Sequence, residues 1–218
     1  MDFGKAFSYM FDDPDWFNKI IIPVLFGLIP IVGWLVLLGY TLRTAKNIAE
    51  HVERPLPTCE FGLDLGKGFR YFLISLVYAI PSVTLGLLLA LLSTSLESNP
   101  GYWLAVVGVV LVAVLLIAYV LFLALVMPVV RTNFAVKDTF SSGFAFKEIF
   151  GMLGKSIGSW LLVVLGSFLA GLIAPLGLIA CGIGVFLTSM YSQLMVAHLE
   201  GQAYILSQPD VVVETPAQ

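Results

Sequence analysis

Charge is what this chain has least of. Only 11% of its 218 residues are Asp, Glu, Lys or Arg, while 59% are apolar and the mean hydropathy is +0.99. Soluble proteins carry about a quarter of their residues as charges. A water-soluble chain of this length has too little interior to hide so much apolar surface, which makes a bilayer the expected solvent and one membrane domain over residues 1–218 the expected organisation. The net charge is −3 with no basic block, which removes the electrostatic footing for nucleic-acid binding. Two cysteines, Cys59 in a polar stretch and Cys181 in an apolar one, lack metal-ligand spacing and read as unpaired thiols. The acidic start (Asp2, Asp12, Asp13, Asp15) does not have the pattern of a cleaved signal.

The most informative scarcity lies inside the apolar runs. A crossing helix needs about 20 mostly apolar residues. Ile20 to Leu42, Tyr71 to Ser93 and Tyr102 to Pro128 each qualify, and Ser156 to Leu199 is long enough for two. "GLIAPLG", Gly171 to Gly177, is the natural turn in that last run, giving spans at 157–174 and 176–197. The predicted fold is all-α: a polytopic transmembrane bundle of four to five spans plus two interfacial amphipathic helices. One of these falls in residues 1–19, where Phe3, Phe7, Met10 and Phe11 form a stripe, and the other in 138–154, with Phe146, Ile149, Phe150 and Leu153. Such stripes either lie on lipid or pack on neighbouring segments. Asp13 and Pro14 suit a helix start, and Trp16 an interfacial anchor.

The stretch "FGLIPIVGWLVLLGYTLRTAKN", Phe26 to Asn47, leaves two alternatives open. With Pro30 and Gly33 as a kink, residues 20–42 cross once; with them as an apex, the run is a re-entrant hairpin. Lys and Arg cluster in residues 43–70 and after the third span, which puts both segments, and the tail 199–218, on the cytoplasmic side of a cell membrane. The hairpin alternative puts all 11 basic residues there.

"MDFGKAFSYMFDDPDW", "IPIVG", "LLGYTLRTAKNIA", the "PLP" of Pro55 to Pro57 and "HLEGQAY" at His198 to Tyr204 occur in that order. Together they resemble a prokaryotic integral-membrane family catalogued as a domain of unknown function, of the 4013 type. Members usually follow the Pro-Leu-Pro with a tryptophan and acidic residues, where this chain reads Thr58, Cys59, Glu60, Phe61. The resemblance implies a multi-pass fold and brings no catalytic residue.

The search for chemistry is mostly negative. Ionisable residues inside spans mark proton paths, ion sites and intramembrane catalysts, and the second, third and fourth apolar runs contain none before His198. No catalytic, cofactor-binding or metal-ligating residue is expected. His51 and His198 lack a clustered second ligand type, "GKG" at Gly66 to Gly68 lacks the rest of a phosphate loop, and Ser159 and Ser167 have no base nearby. Arg43, Lys46, Asn47, Arg70 and Arg131 are candidate contacts to lipid headgroups or a partner. Gly166, Ala170 and Ala174, then Ala180 and Gly184, and also Gly154 and Gly158, have the four-residue spacing of close helix packing, within the chain or against a partner. The favoured expectation is a non-enzymatic accessory or scaffold subunit, with membrane lipids and a membrane-protein partner or second copy as neighbours. The alternative is a transporter or channel for an uncharged or lipidic solute, which requires a polar cavity in the bundle; an interfacial enzyme ranks third.

Overall fold

The computed structural model describes residues 1–98, 103–179 and 184–208, all helix and turn with no strand among them. Its α-helices are α1 (Lys5–Ser8), α2 (Trp16–Gly27), α3 (Val32–Ala49), α4 (Phe61–Ser98), α5 (Trp103–Lys137), α6 (Phe146–Lys155), α7 (Ile157–Ile173) and α8 (Gly184–Ser207), with 3₁₀ turns at Tyr9–Asp12, Phe140–Phe144 and Ala174–Ile179. Three helical segments, Phe61–Thr94, Trp103–Lys137 and Ile157–Leu178, are long and apolar enough to cross a membrane. Four or five were expected. The shortfall has two causes: the first apolar run is broken into short pieces, and α8 carries Ser189, Ser192, Gln193, His198 and Glu200 along its length.

The break falls at residues 28–31. Pro30 and Ile31 make a γ-turn there: the Val32 amide bonds to the Pro30 carbonyl at 2.7 Å, and Ile31 sits at φ 65° and ψ −61°. The chain then folds back, so that residues 20–42 are two helices in contact and not one continuous rod. Gly33 permits this closeness, since a methyl group there would overlap the Phe26 carbonyl.

α3 and α4 pack in the same glycine-dependent way. A Cβ on Gly39 would overlap the Asp64 carbonyl, and one on Gly68 the Leu35 carbonyl. With no side chains between them, the two backbones touch. The "GKG" of residues 66–68 therefore serves helix packing. α4 and α5 run antiparallel over lengths of about 57 and 52 Å at 1.5 Å per residue, with Lys67 paired to Ala135, Tyr78 to Tyr119 and Leu92 lying by Gly108. The segments expected to form a cytoplasmic loop (43–70) and a polar connection after Pro128 are largely helical: α3 runs to Ala49, α4 begins at Phe61, and α5 continues through Pro128 to Lys137.

The N-terminal stripe packs on the bundle. Phe3 and Phe7 lie against the main core with Trp160, Val163 and Leu199, while Met10 is buried and Phe11 exposed. Hydrogen bonds fasten the segment to α8: the Asp2 amide to Gln202 (2.8 Å), the Tyr9 hydroxyl to the Leu194 carbonyl (3.0 Å) and the Tyr191 hydroxyl to the Phe7 carbonyl (3.0 Å). Asp13 accepts the Asp15 amide and pairs with Lys19 at 2.7 Å, fixing the start of α2. α6 buries Ile149 and Met152 but leaves Phe146 and Phe150 outside.

Candidate functional site

Ionised side chains gather at one end of the bundle, where α3 ends, α4 begins and α5 and α8 finish. Arg43 bridges Glu60 (3.0 Å) and the fully buried Asp64 (3.1 Å). Lys67 is buried and donates to the Ala135 carbonyl at 2.8 Å, satisfying an orphan acceptor in the last turn of α5. Arg70 pairs with Asp138 at 3.1 Å and lies over the Phe134 ring. Lys137 meets Glu148 at 2.6 Å, and that hydrogen bond holds the Glu148 carboxyl below its ordinary range. Burial, assisted by the neighbouring Asp64, pushes the Cys59 thiol up to about 12, so it stays protonated at neutral pH.

The deepest pair joins α5 to α8. Arg131 Nη1 lies 3.3 Å from Glu200 Oε1, and Nη2 donates to Thr41 Oγ1 of α3 at 2.8 Å. Arg131 is 8% exposed and Glu200 2%. Sequence reasoning placed Arg131 in a polar connection and Glu200 in a tail; both are helical and interior. α5 continues past Pro128, whose missing N–H frees the Ala124 carbonyl, while Thr132 Oγ1 bonds back to the Pro128 carbonyl at 2.8 Å. A proline after an apolar run looks like a stop, and the partner carboxylate lies 69 residues further along the chain, so sequence spacing carried no sign of the pair.

Two cavities meet at Arg131. The larger, about 590 Å³, lies between α5, α7 and α8. Met127, Val164, Phe168 and Val196 supply apolar wall; Arg131, Glu200, Ser192 and Gln193 are polar, as are Ser167 and Ser189. Along α8 it extends from Ser189 to Glu200, roughly 16 Å at helical rise. The second, about 390 Å³, lies on the α3 side and shares Tyr71, Arg131, Ser189 and Gln193 with the first. Three buried polar atoms at the larger cavity have no hydrogen-bond partner among the described residues: Arg131 Nε, Glu200 Oε2 and Ser192 Oγ. Unmet polar atoms in a buried place cost about 1–3 kcal/mol each. Each is sealed from solvent, and a small rotation of its side chain would turn it toward a polar ligand or water in the cavity.

The sequence-singled residues are distributed as follows. Of the five candidate headgroup contacts, Arg43, Arg70 and Arg131 are engaged as described above. Lys46 lies 3.7 Å from Glu50, and Asn47 donates to the Pro55 carbonyl at 2.9 Å. Arg131 in particular is interior and cannot serve as a surface anchor. Gly166 and Ala170 are buried on α7, where a methyl on Gly166 would overlap Leu199 of α8. Ala174 takes the Thr188 hydroxyl on its carbonyl at 2.7 Å, and Gly184 lies against Gly177. Gly154 and Gly158 face open space. Ala180, Cys181, Tyr102 and the tail beyond residue 208 fall outside the described residues.

His51 and His198 do line one pocket, with Tyr9, Asp12 and Asp13. No cluster of three or more metal-ligating side chains occurs among the described residues. Each histidine has a structural occupation. His198 stacks on Tyr9 with ring centroids 4.4 Å apart. His51, at φ 56°, ends α3: its amide bonds to the Ile48 carbonyl and that of Val52 to Asn47, the paired bonds of a Schellman motif.

No curated protein and no solved structure matches the chain. A family model matches residues 22–183, most of the bundle and the polar end of α5 included, and the chain therefore belongs to the family described as "Protein of unknown function (DUF4013)".

Proposed function

We propose that this chain is a multi-pass membrane protein that binds a lipid-like amphiphile in the cavity beside Arg131 and Glu200, as a carrier of an uncharged or lipidic solute. The observation behind this reading is the shape and chemistry of the 590 Å³ cavity: apolar walls along α5, α7 and α8, with buried polar groups at one end. Such a space matches one acyl-bearing molecule better than an ion, because its charged groups are confined to one end and the rest of the lining is mostly apolar, with Ser167 and Ser189 its hydroxyls. In this reading α4, α5 and α7 cross a cell membrane, α8 lines the cavity as a further span, and α2–α3 dip in as a re-entrant hairpin. The basic end faces the cytoplasm, and with it the C-terminal end of α8. Arg131 lies 28 residues along α5 from Trp103, about 42 Å. That exceeds the roughly 30 Å hydrocarbon thickness, so with Trp103 at one interface the ion pair sits at the other.

The test is lipid retention by the purified chain, counted by native mass spectrometry. Gly171 borders the cavity and a side chain there meets open space; Ser189 borders both cavities. Gly171→Phe and Ser189→Phe should each lower bound lipid from about one per chain to a small fraction, with melting temperature little changed. Unaltered retention in both variants would refute the proposal.

A second reading, an accessory subunit bound to a membrane-protein partner or another copy, draws on the outer α4–α5 hairpin. Leu87, Trp103 and Leu121 are between 62 and 72% exposed. Lipid covers such a surface as well as protein does. Purification in mild detergent that yields a stoichiometric companion would favour this reading over the carrier.

A further inference from the structure

Resting on that carrier reading, we infer that the cavity selects an amphiphile whose head has no net charge and carries an N–H or O–H donor. The argument begins with the charge balance. The charged residues lining the cavity are Arg131 and Glu200, one of each sign, 3.3 Å apart. A balanced pair leaves no net field for a third buried charge to neutralise, and a buried charge without a counterion is expensive. An anionic or cationic head is thereby disfavoured.

Hydrogen-bonding capacity narrows the class further. Arg131 Nε is a donor, Glu200 Oε2 an acceptor, and Ser192 Oγ can act as either. Glu200 and Ser192 are each 98% buried, so bulk water does not reach them as it would a surface group. A head that only accepts hydrogen bonds satisfies the guanidinium and leaves the carboxylate oxygen bare. Both groups are met by a head with an acceptor and a donor. The ammonium and phosphate of a phosphatidylethanolamine qualify, and so does the free hydroxyl of a diacylglycerol. A phosphatidylcholine is equally neutral but has no N–H or O–H, and a phosphatidylglycerol has hydroxyls but a net negative charge.

The experiment gives the full chain, in detergent, an equimolar mixture of these four lipids with matched acyl chains, and counts the species retained by native mass spectrometry. Ethanolamine and diacylglycerol lipids should be retained about tenfold over the choline and glycerol phospholipids, the worth of one charge-assisted hydrogen bond. The ratio between the two favoured lipids tells whether an ammonium or a hydroxyl is the preferred donor. Glu200→Gln removes the negative partner and leaves Arg131 unbalanced, so preference should move toward the anionic phosphatidylglycerol. Should that variant fail to fold, the wild-type ranking decides alone. Equal retention of the choline and ethanolamine lipids, or enrichment of phosphatidylglycerol by the wild type, would overturn the selectivity. Loss of retention in Gly171→Phe and Ser189→Phe without any head preference would leave the carrier reading standing and this inference refuted. Retention insensitive to both fillers would refute the carrier reading itself.

Discussion

Three non-glycine residues among those described have positive φ: Ile31, His51 and Asp138, the last a residue type that tolerates it. Ile31 is β-branched at φ 65° in the α2–α3 turn, and His51 occupies the left-handed position that ends α3. Left-handed backbone costs a non-glycine residue on the order of 1–3 kcal/mol. His51→Gly should raise thermal stability in detergent by about 1 kcal/mol, and Ile31→Gly by a similar amount; a fall in melting temperature for either variant would show that its side chain contributes more than its strain costs. From sequence these positions were opaque. Pro30 and Gly33 announced a discontinuity, but a kink and a reversal use the same residues, and only contact between Gly33 and the Phe26 carbonyl distinguishes them. The histidine invited thoughts of a ligand because its backbone role is invisible in a residue name.

At the scale of elements, glycine placement controls how closely helices lie. Gly68→Ala puts a methyl onto the Leu35 carbonyl, and backbone cannot step aside as a flexible side chain does. The α3–α4 contact should open at a cost of about 3 kcal/mol, toward the upper end for overpacking, read as a lower melting temperature. Gly62→Ala is the control, since that position faces open space. Equal stability of the two variants would contradict the close crossing. Helix existence was largely legible here, because long apolar runs have few alternatives in lipid. Helix ends were not. α4 starts ten residues before the expected span and α5 ends nine after it, because Lys67 and Arg131 find partners within the bundle instead of marking its edge. On α7, Gly166 and Ala170 are buried, and a methyl on Gly166 would overlap Leu199 of α8; the four-residue spacing does not say which helix such a stripe faces.

The whole molecule is tied together by the Arg131–Glu200–Thr41 contact, which links α5, α8 and α3. Removing one member of a buried pair strands the other, so Arg131→Met alone should cost about 3–5 kcal/mol. Arg131→Met combined with Glu200→Leu should recover most of that loss. A double variant as unstable as the single one would mean the guanidinium stabilises through Thr41 and not through the carboxylate. This pair, and the cavity it borders, is the part of the site that sequence analysis missed. An apolar run followed by arginine reads as anchoring, and nothing local points to a carboxylate on the last helix. The absence of charge within the runs was real; the charges that matter enter from helical extensions beyond them.

The attachment of the amino-terminal segment to α8 has a bearing on how the protein is made. Asp2 bonds to a residue 200 positions later, and Tyr9 and Phe7 reach partners almost as distant. Translation makes those partners some 180 to 200 residues after the segment itself, so its hydrogen bonds to α8 form only once that helix has left the ribosome.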